Sequence, residues 1–264
     1  MKISELFLRE EENREDIDLF NKNLTSLEKL NIPDIVNGSF YCSNNKLTSL
    51  QYGPSKVNGG FFCNDNQLKS LQYGPSEVNG DFACSYNQLT SLQYCPSEVN
   101  GNFYCSNNKL TSLQYCPSEV NGNFYCSFNQ LTSLQYCPSE VNGNFYCSFN
   151  QLTSLQYCPS KVKGDFYFTN NQLTSLKDIH KLFSNGGYIK GKISFHGNPI
   201  KSHILGLMLI PELKSIDNIE KIKDEQLKLA CTIINKHLEE GSNRDVFACQ
   251  EELIDNDLKD FAEL

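Results

Sequence analysis

The stretch that decides the fold runs from 89 to 151, where LTSLQYCPSEVNGNFYCSNNK (89–109) is followed by LTSLQYCPSEVNGNFYCSFNQ (110–130) and by those same 21 letters again (131–151). A fixed period of this size marks a repeat solenoid, in which each unit stacks on its sequence neighbours to bury a face it cannot bury alone. Outward from the triplicate, the leucine that opens each copy recurs as Leu47, Leu68, Leu89, Leu110, Leu131, Leu152 and Leu173. A first, longer copy begins at Leu24. The last copy drifts, with Ile193, Phe195, Asn198 and Ile200 reproducing the strand and turn positions after a 27-residue step.

Within a copy, Gly101-Asn102-Phe103-Tyr104-Cys105-Ser106 alternates large apolar with polar or amphipathic residues, the period of a strand with Phe103 and Cys105 inward. Asn-Lys-Leu-Thr-Ser-Leu then turns the chain. The return through Gln-Tyr-Cys-Pro-Ser-Glu-Val-Asn-Gly is too short for a helix, and its proline favours an extended or polyproline-like path. The expected core of a coil is therefore Leu110, Leu113, Cys116, Val120, Phe124 and Cys126. Ten of the twelve cysteines fall in two columns, Cys42, Cys63, Cys84, Cys105, Cys126, Cys147 and Cys95, Cys116, Cys137, Cys158. Phe168, Gly53 and Gly74 replace them without disturbing the period, so they are expected as reduced, buried, small hydrophobes.

One column never varies: Asn45, Asn66, Asn87, Asn108, Asn129, Asn150, Asn171 and Asn198. An inward amide at the end of each strand can bond the backbone of its own turn and of the next coil, satisfying groups that burial would leave unpaired.

With Phe103, Cys105, Asn108 and Leu110 in the pattern Phe-x-Cys-x-x-Asn-x-Leu, residues 24–200 resemble the leucine-rich repeat family. Phe and Cys stand where leucine is usual, and Gly where the first leucine would be. The narrow repeat looks most like those of secreted bacterial-pathogen effectors, and the Cys-Ser-x-Asn strands are similar to leucine-rich proteins of giant viruses and large phages. The expected architecture is an α/β repeat solenoid with a parallel sheet on the concave face, a non-helical convex side and helical caps. It divides into an N-terminal cap (1–23), repeats (24–200) and a C-terminal cap (201–264). Ser4, ahead of Leu6, Phe7 and Leu8, suits a short amphipathic N-terminal helix. Three C-terminal helices are expected around Ile204–Met208, Leu227–Leu238 and Val246–Phe261, broken at Pro211-Glu212 and Gly241-Ser242-Asn243.

The resemblance implies a non-enzymatic module that binds a protein partner through its concave face, a viral or bacterial factor engaging a host protein. Composition agrees: a net charge of -8 disfavours a phosphate-backbone binder, and no long apolar run or leader-like segment appears. The expectation is thus a cytoplasmic monomer with no nucleic-acid or membrane partner. His180, His196, His203 and His237 lack metal-ligand spacing and no phosphate-cradling glycine motif occurs, so no cofactor, metal or catalytic residue is assigned. Cys231 and Cys249 fall on apolar helix faces, so they read as core.

Three outward columns are readable. The central one is Tyr41, Phe62, Ala83, Tyr104, Tyr125, Tyr146, Tyr167; the next is Ser43, Asn64, Ser85, Ser106, Ser127, Ser148, Thr169; the least uniform is Asn44, Asp65, Tyr86, Asn107, Phe128, Phe149, Asn170. Exposed aromatics supply large contact area at low entropic cost. The candidate partner-binding residues are accordingly Tyr86, Tyr104, Tyr125, Phe128, Tyr146, Phe149 and Tyr167. The convex side carries Tyr52, Tyr73, Tyr94, Tyr115, Tyr136 and Tyr157 and an acidic row, Glu77, Glu98, Glu119 and Glu140. With 14 Asp or Glu against 8 Lys or Arg after residue 200, that row supports a second reading, an acidic decoy that inhibits a nucleic-acid-binding enzyme.

Overall fold

The computed structural model describes residues 15–239 and 244–264. The expected N-terminal helix at residues 3–8 and the Gly241-Ser242-Asn243 breaker lie outside them. The chain forms two compact units, residues 1–131 with 135–138, and 132–134 with 139–264.

In the first unit, two-residue strands at Ile17–Asp18, Phe40–Tyr41, Phe61–Phe62, Phe82–Ala83, Phe103–Tyr104 and Phe124–Tyr125 pair in parallel in that order. The register is one full copy, Phe61 on Phe40 and Phe103 on Phe82, so every column of the sequence becomes a column in space. The ladder outruns the strands: Phe40 N–H donates to Gly60 O (2.8 Å), Cys42 N–H to Phe62 O (2.8 Å) and Asn44 N–H to Asn64 O (3.0 Å). Residues 17 and 18 belong to this ladder as a strand, so that part of the expected helical cap is a further coil.

The return leg is extended, as its proline requires, and it also pairs. Ile35–Val36, Lys56–Val57 and Glu77–Val78 form a second parallel sheet, continued by single bridges Val78–Val99 and Val99–Val120. From Phe40 onward a glycine stands one or two residues before each strand of the first sheet, because the coils touch there. A Cβ on Gly122 would stand 2.8 Å from the backbone N of Asn102, one coil back.

The core of a coil differs from expectation in one member. Leu110, Leu113, Val120, Phe124 and Cys126 are fully buried, but Cys116 is only half-buried and Pro117 takes its place inside. The Cys116 thiol lies at the edge and donates to Tyr136 O (2.9 Å), as Cys95 does to Tyr115 O (2.8 Å). A glycine can stand there because no core volume is lost. All twelve cysteines are free thiols, and burial pushes Cys63 up to about 12, so the inner column behaves as packing. The phenylalanines form a continuous stack, Phe103 lying 5.5 Å from Phe82 and 5.3 Å from Phe124 between ring centroids.

The asparagine column does what an inward amide should, but toward the preceding coil. Asn87 Oδ1 accepts from Leu68 N–H (2.9 Å), and its Nδ2 donates to Cys63 O (3.0 Å) and to its own Cys84 O (3.1 Å). It therefore fastens two coils through buried backbone groups, each strand-end carbonyl being shared with the neighbouring asparagine of the column, as Cys63 O is with Asn66 Nδ2 (3.2 Å).

The second unit continues the pattern with Phe145–Tyr146, Phe166–Tyr167 and Ile193–Ser194 in one sheet, and Glu140–Val141, Lys161–Val162 and Tyr188–Ile189 in the other. Ladder bonding runs on past Ile200: Ile193 N–H donates to Ser215 O, and Asp217 N–H to Ile193 O. The expected first C-terminal helix is a 3-10 turn, Leu205–Leu209. The other two are α-helices, α1 (Glu225–Leu238) and α2 (Val246–Asp255), each begun by an aspartate. Asp224 accepts from Leu227 N–H, and Asp245 from Phe247 and Ala248 N–H. Asn235 on α1 accepts from Ile216 N–H (2.7 Å) and donates to Ile216 O (2.9 Å), so the helix supplies the edge strand with the partner a further coil would give. No helix among the described residues is long and apolar enough to cross a membrane.

Candidate functional site

The solvent-facing side of the long sheet is built from alternate strand residues, and in each unit much of it is occupied with holding coils together. Two rows of polar side chains cap the next coil's amides. Asn102 N–H donates to Asp81 Oδ1 (2.7 Å) and Asn123 N–H to Asn102 Oδ1 (2.7 Å); one step along, Asn64 N–H donates to Ser43 Oγ (3.1 Å) and Ser85 N–H to Asn64 Oδ1 (2.8 Å). The serine column is consequently closed off in part, Ser43, Ser85, Ser148 and Thr169 being buried while Asn64, Ser106 and Ser127 are half-buried. The serine column was readable in the sequence, but its capping role, and the whole of the Asp81–Asn102 row, were not. The alternation of Ser with Asn and Asp at one phase was the available signal, since these share an acceptor oxygen at short reach.

Between the polar rows lie the central aromatics. In the first unit, Tyr41 stacks on Phe62 (4.8 Å, 3°) and Tyr104 on Tyr125 (4.6 Å, 8°); in the second, Tyr146 stacks on Tyr167 (4.9 Å, 3°). Partial burial, and after it the Asp81 carboxylate, push the Tyr104 phenol above its ordinary range. Tyr167 is raised likewise, by burial first and then by donating to Asp165 Oδ2 (3.0 Å). These hydroxyls remain protonated at neutral pH. Each of these residues is half-buried, and the Tyr146 hydroxyl accepts from Asn144 Nδ2 (2.8 Å).

The third column requires a correction. Asn44, Asp65, Tyr86, Asn107, Phe128, Phe149 and Asn170 are not outward strand residues; all seven are in the left-handed region, with φ between 52° and 57°, in the turn after the strand. Asn and Asp tolerate that backbone best among residues with a side chain, and four of the seven positions hold them. Tyr86, Phe128 and Phe149 do not suit it, and their rings are 56%, 48% and 44% exposed. Phe128→Asn, the residue of the neighbouring copy, is expected to stabilise the protein by about 1 kcal/mol, read as a melting temperature raised by about 2–4 °C.

The tyrosines of the other side, Tyr52, Tyr73, Tyr94, Tyr115, Tyr136 and Tyr157, are also left-handed (φ 66° to 72°), each at the third position of a tight turn closed by bonds such as Gly53 N–H to Leu50 O. They stand apart from the candidate residues. The acidic row is less bare than its sequence suggests: Glu77 pairs with Lys56 (2.6 Å) in the first unit, and Glu140 with Lys161 (3.5 Å) and Lys163 (3.8 Å) in the second. Among the described residues, no cluster of three His, Cys, Asp or Glu side chains could hold a metal ion.

The structure thus brings Tyr86, Tyr104, Tyr125 and Phe128 to one face of the first unit, and Tyr146, Phe149 and Tyr167 to the corresponding face of the second. Parallel strands in one-copy register, an asparagine ladder and a short non-helical return make each unit a parallel β-solenoid. Among solved structures the chain is similar to YopM from Yersinia enterocolitica WA-314, with 18% sequence identity and a TM-score of 0.41 over 64% of this chain. It spans 45% of the length of that protein. No protein-family model matches, and no curated protein does.

Proposed function

We propose that this leucine-rich repeat chain is a non-enzymatic protein-binding module, and that it takes its partner on the aromatic face of the long sheet. Tyr86, Tyr104, Tyr125 and Phe128 are the anchors in the first unit, and Tyr146, Phe149 and Tyr167 in the second. The observation that carries this reading is the placing of exposed Tyr86, Phe128 and Phe149 in left-handed turns where other copies use Asn or Asp. A large ring that is unfavourable for its own backbone and keeps about half of its surface in water is explained by what it touches in a complex. The partner is a protein of the host, met in the cytoplasm by a monomeric viral or bacterial factor. Glu77 and Glu140, each paired with a neighbouring lysine, make the acidic-decoy reading the weaker one.

The test is capture of a partner from nuclease-treated extract of the cells in which the protein works, followed by affinity measurement on the purified pair. Tyr125→Ser with Phe128→Ser is expected to weaken binding by at least about 30-fold, the effect of losing one strong anchor, with thermal unfolding still cooperative. Tyr146→Ser with Phe149→Ser tests the second unit in the same way. Unchanged affinity in both double variants would refute the reading, and competition by duplex DNA would favour the decoy.

A further inference from the structure

The aromatic column of the first unit has one gap. Tyr41, Phe62, Tyr104 and Tyr125 carry rings, and between Phe62 and Tyr104 stands Ala83. Phe62 is stacked on its outer side by Tyr41, and Tyr104 on its outer side by Tyr125. Their inner faces therefore bound a notch two strand spacings wide, about 9.6 Å between ring planes, the room a single planar group needs to continue the stack. The notch has a volume of about 300 Å³ and is lined by Phe62, Asn64, Asp65, Asp81, Ala83, Ser85, Tyr86 and Tyr104. Gly60 helps to fix its wall: a Cβ there would fall 2.5 Å from the Phe62 ring, so only glycine lets that ring lie where it does.

Its charge is one-sided. Asp81 and Asp65 stand on the lining, and no Lys or Arg does. Asp81 Oδ1 is taken by Asn102 N–H and Nδ2 (2.7 and 3.1 Å), while Oδ2 accepts Nδ2 at 3.2 Å and keeps acceptor capacity toward the notch. Partial desolvation raises the Asp65 carboxyl above its ordinary value. A neutral aromatic ring would fill the slot but leave both carboxylates uncompensated. An ammonium would answer the charge without the plane.

Resting on the protein-binding reading above, we propose that the notch over Ala83 receives an arginine side chain of the protein partner. Its guanidinium lies flat between Phe62 and Tyr104 and turns N–H donors to Asp81. Guanidinium alone combines a stacking face with a fixed fork of donors.

The experiment is an NMR titration of the full chain, labelled on its amides, with N-acetyl-arginine amide. Saturable millimolar shifts at Ala83, Cys84 and Tyr104 are expected, weaker by at least about fivefold with the lysine amide and about tenfold with the isosteric, uncharged citrulline amide. Ala83→Tyr installs the residue that Tyr104 and Tyr125 occupy in their copies, so the fold survives and the response should vanish. Asp81→Asn copies Asn102 and keeps the backbone acceptor, and it should weaken the response by at least fivefold. Absence of saturable shifts, equal shifts in Ala83→Tyr, or a stronger response to N-acetyl-tyrosine amide would each overturn the proposal. Both variants retain Tyr125 and Phe128, so failure here leaves the aromatic-face reading to its own test.

Discussion

Replacing Asn87 with leucine is expected to destabilise the first unit by about 2–4 kcal/mol. The leucine removes the acceptor of Leu68 N–H, leaving that donor buried without its partner, and it takes from Cys63 O the closer of its two amide donors, so that only Asn66 Nδ2 (3.2 Å) remains on it. A buried orphan donor costs about 1–3 kcal/mol, and the amide that fastened one coil to the last is gone as well. Because a solenoid is held by nearest-neighbour terms, the loss should also broaden the urea transition as coils on either side of residue 87 uncouple. Circular dichroism across a urea series measures both. Unfolding within about 0.5 kcal/mol of the parent would mean that the ladder is decoration.

Phe103→Ala should cost about 3–5 kcal/mol by a different route. Phe103 is fully buried, with Phe82 and Phe124 stacked on its two faces, so truncation opens a cavity that neither neighbour can enter without abandoning its own coil. The register makes the site intolerant, since a ring shifted along the stack would leave the column. Phe103→Leu, which keeps most of the volume, should recover at least half of the loss in the same assay.

How much of this was legible in the sequence depends on whether a column is dictated by stacking or by local backbone. Leu, Val, Phe and Asn at 21-residue spacing give the solenoid, its register and the asparagine ladder, because each copy repeats the same burial problem. The left-handed turn was hidden by the strand period: outward alternation from Tyr104 through Ser106 invites one more strand residue, where the backbone instead reverses hand at Asn107. The clue was compositional, Asn or Asp in four of seven copies. Cys116 and Pro117 exchanged roles for a similar reason, since periodicity does not say which of two adjacent small residues turns in. The candidate aromatics were readable by type and column, but the polar rows that close off the serines, and the notch made by Ala83, required neighbours from three coils at once. Past Ile200 the repeat dissolves in sequence while ladder bonding persists to Asp217, because backbone pairing asks only for an extended chain there.

The aromatic residues Tyr86, Phe128 and Phe149 hold an unfavourable backbone for the sake of contact, and Phe128→Asn separates the two quantities in one protein. Thermal unfolding and affinity for the captured partner should move in opposite directions: the melting temperature rises by about 2–4 °C while the dissociation constant weakens by at least about tenfold. A rise in melting temperature with unchanged affinity would contradict the account.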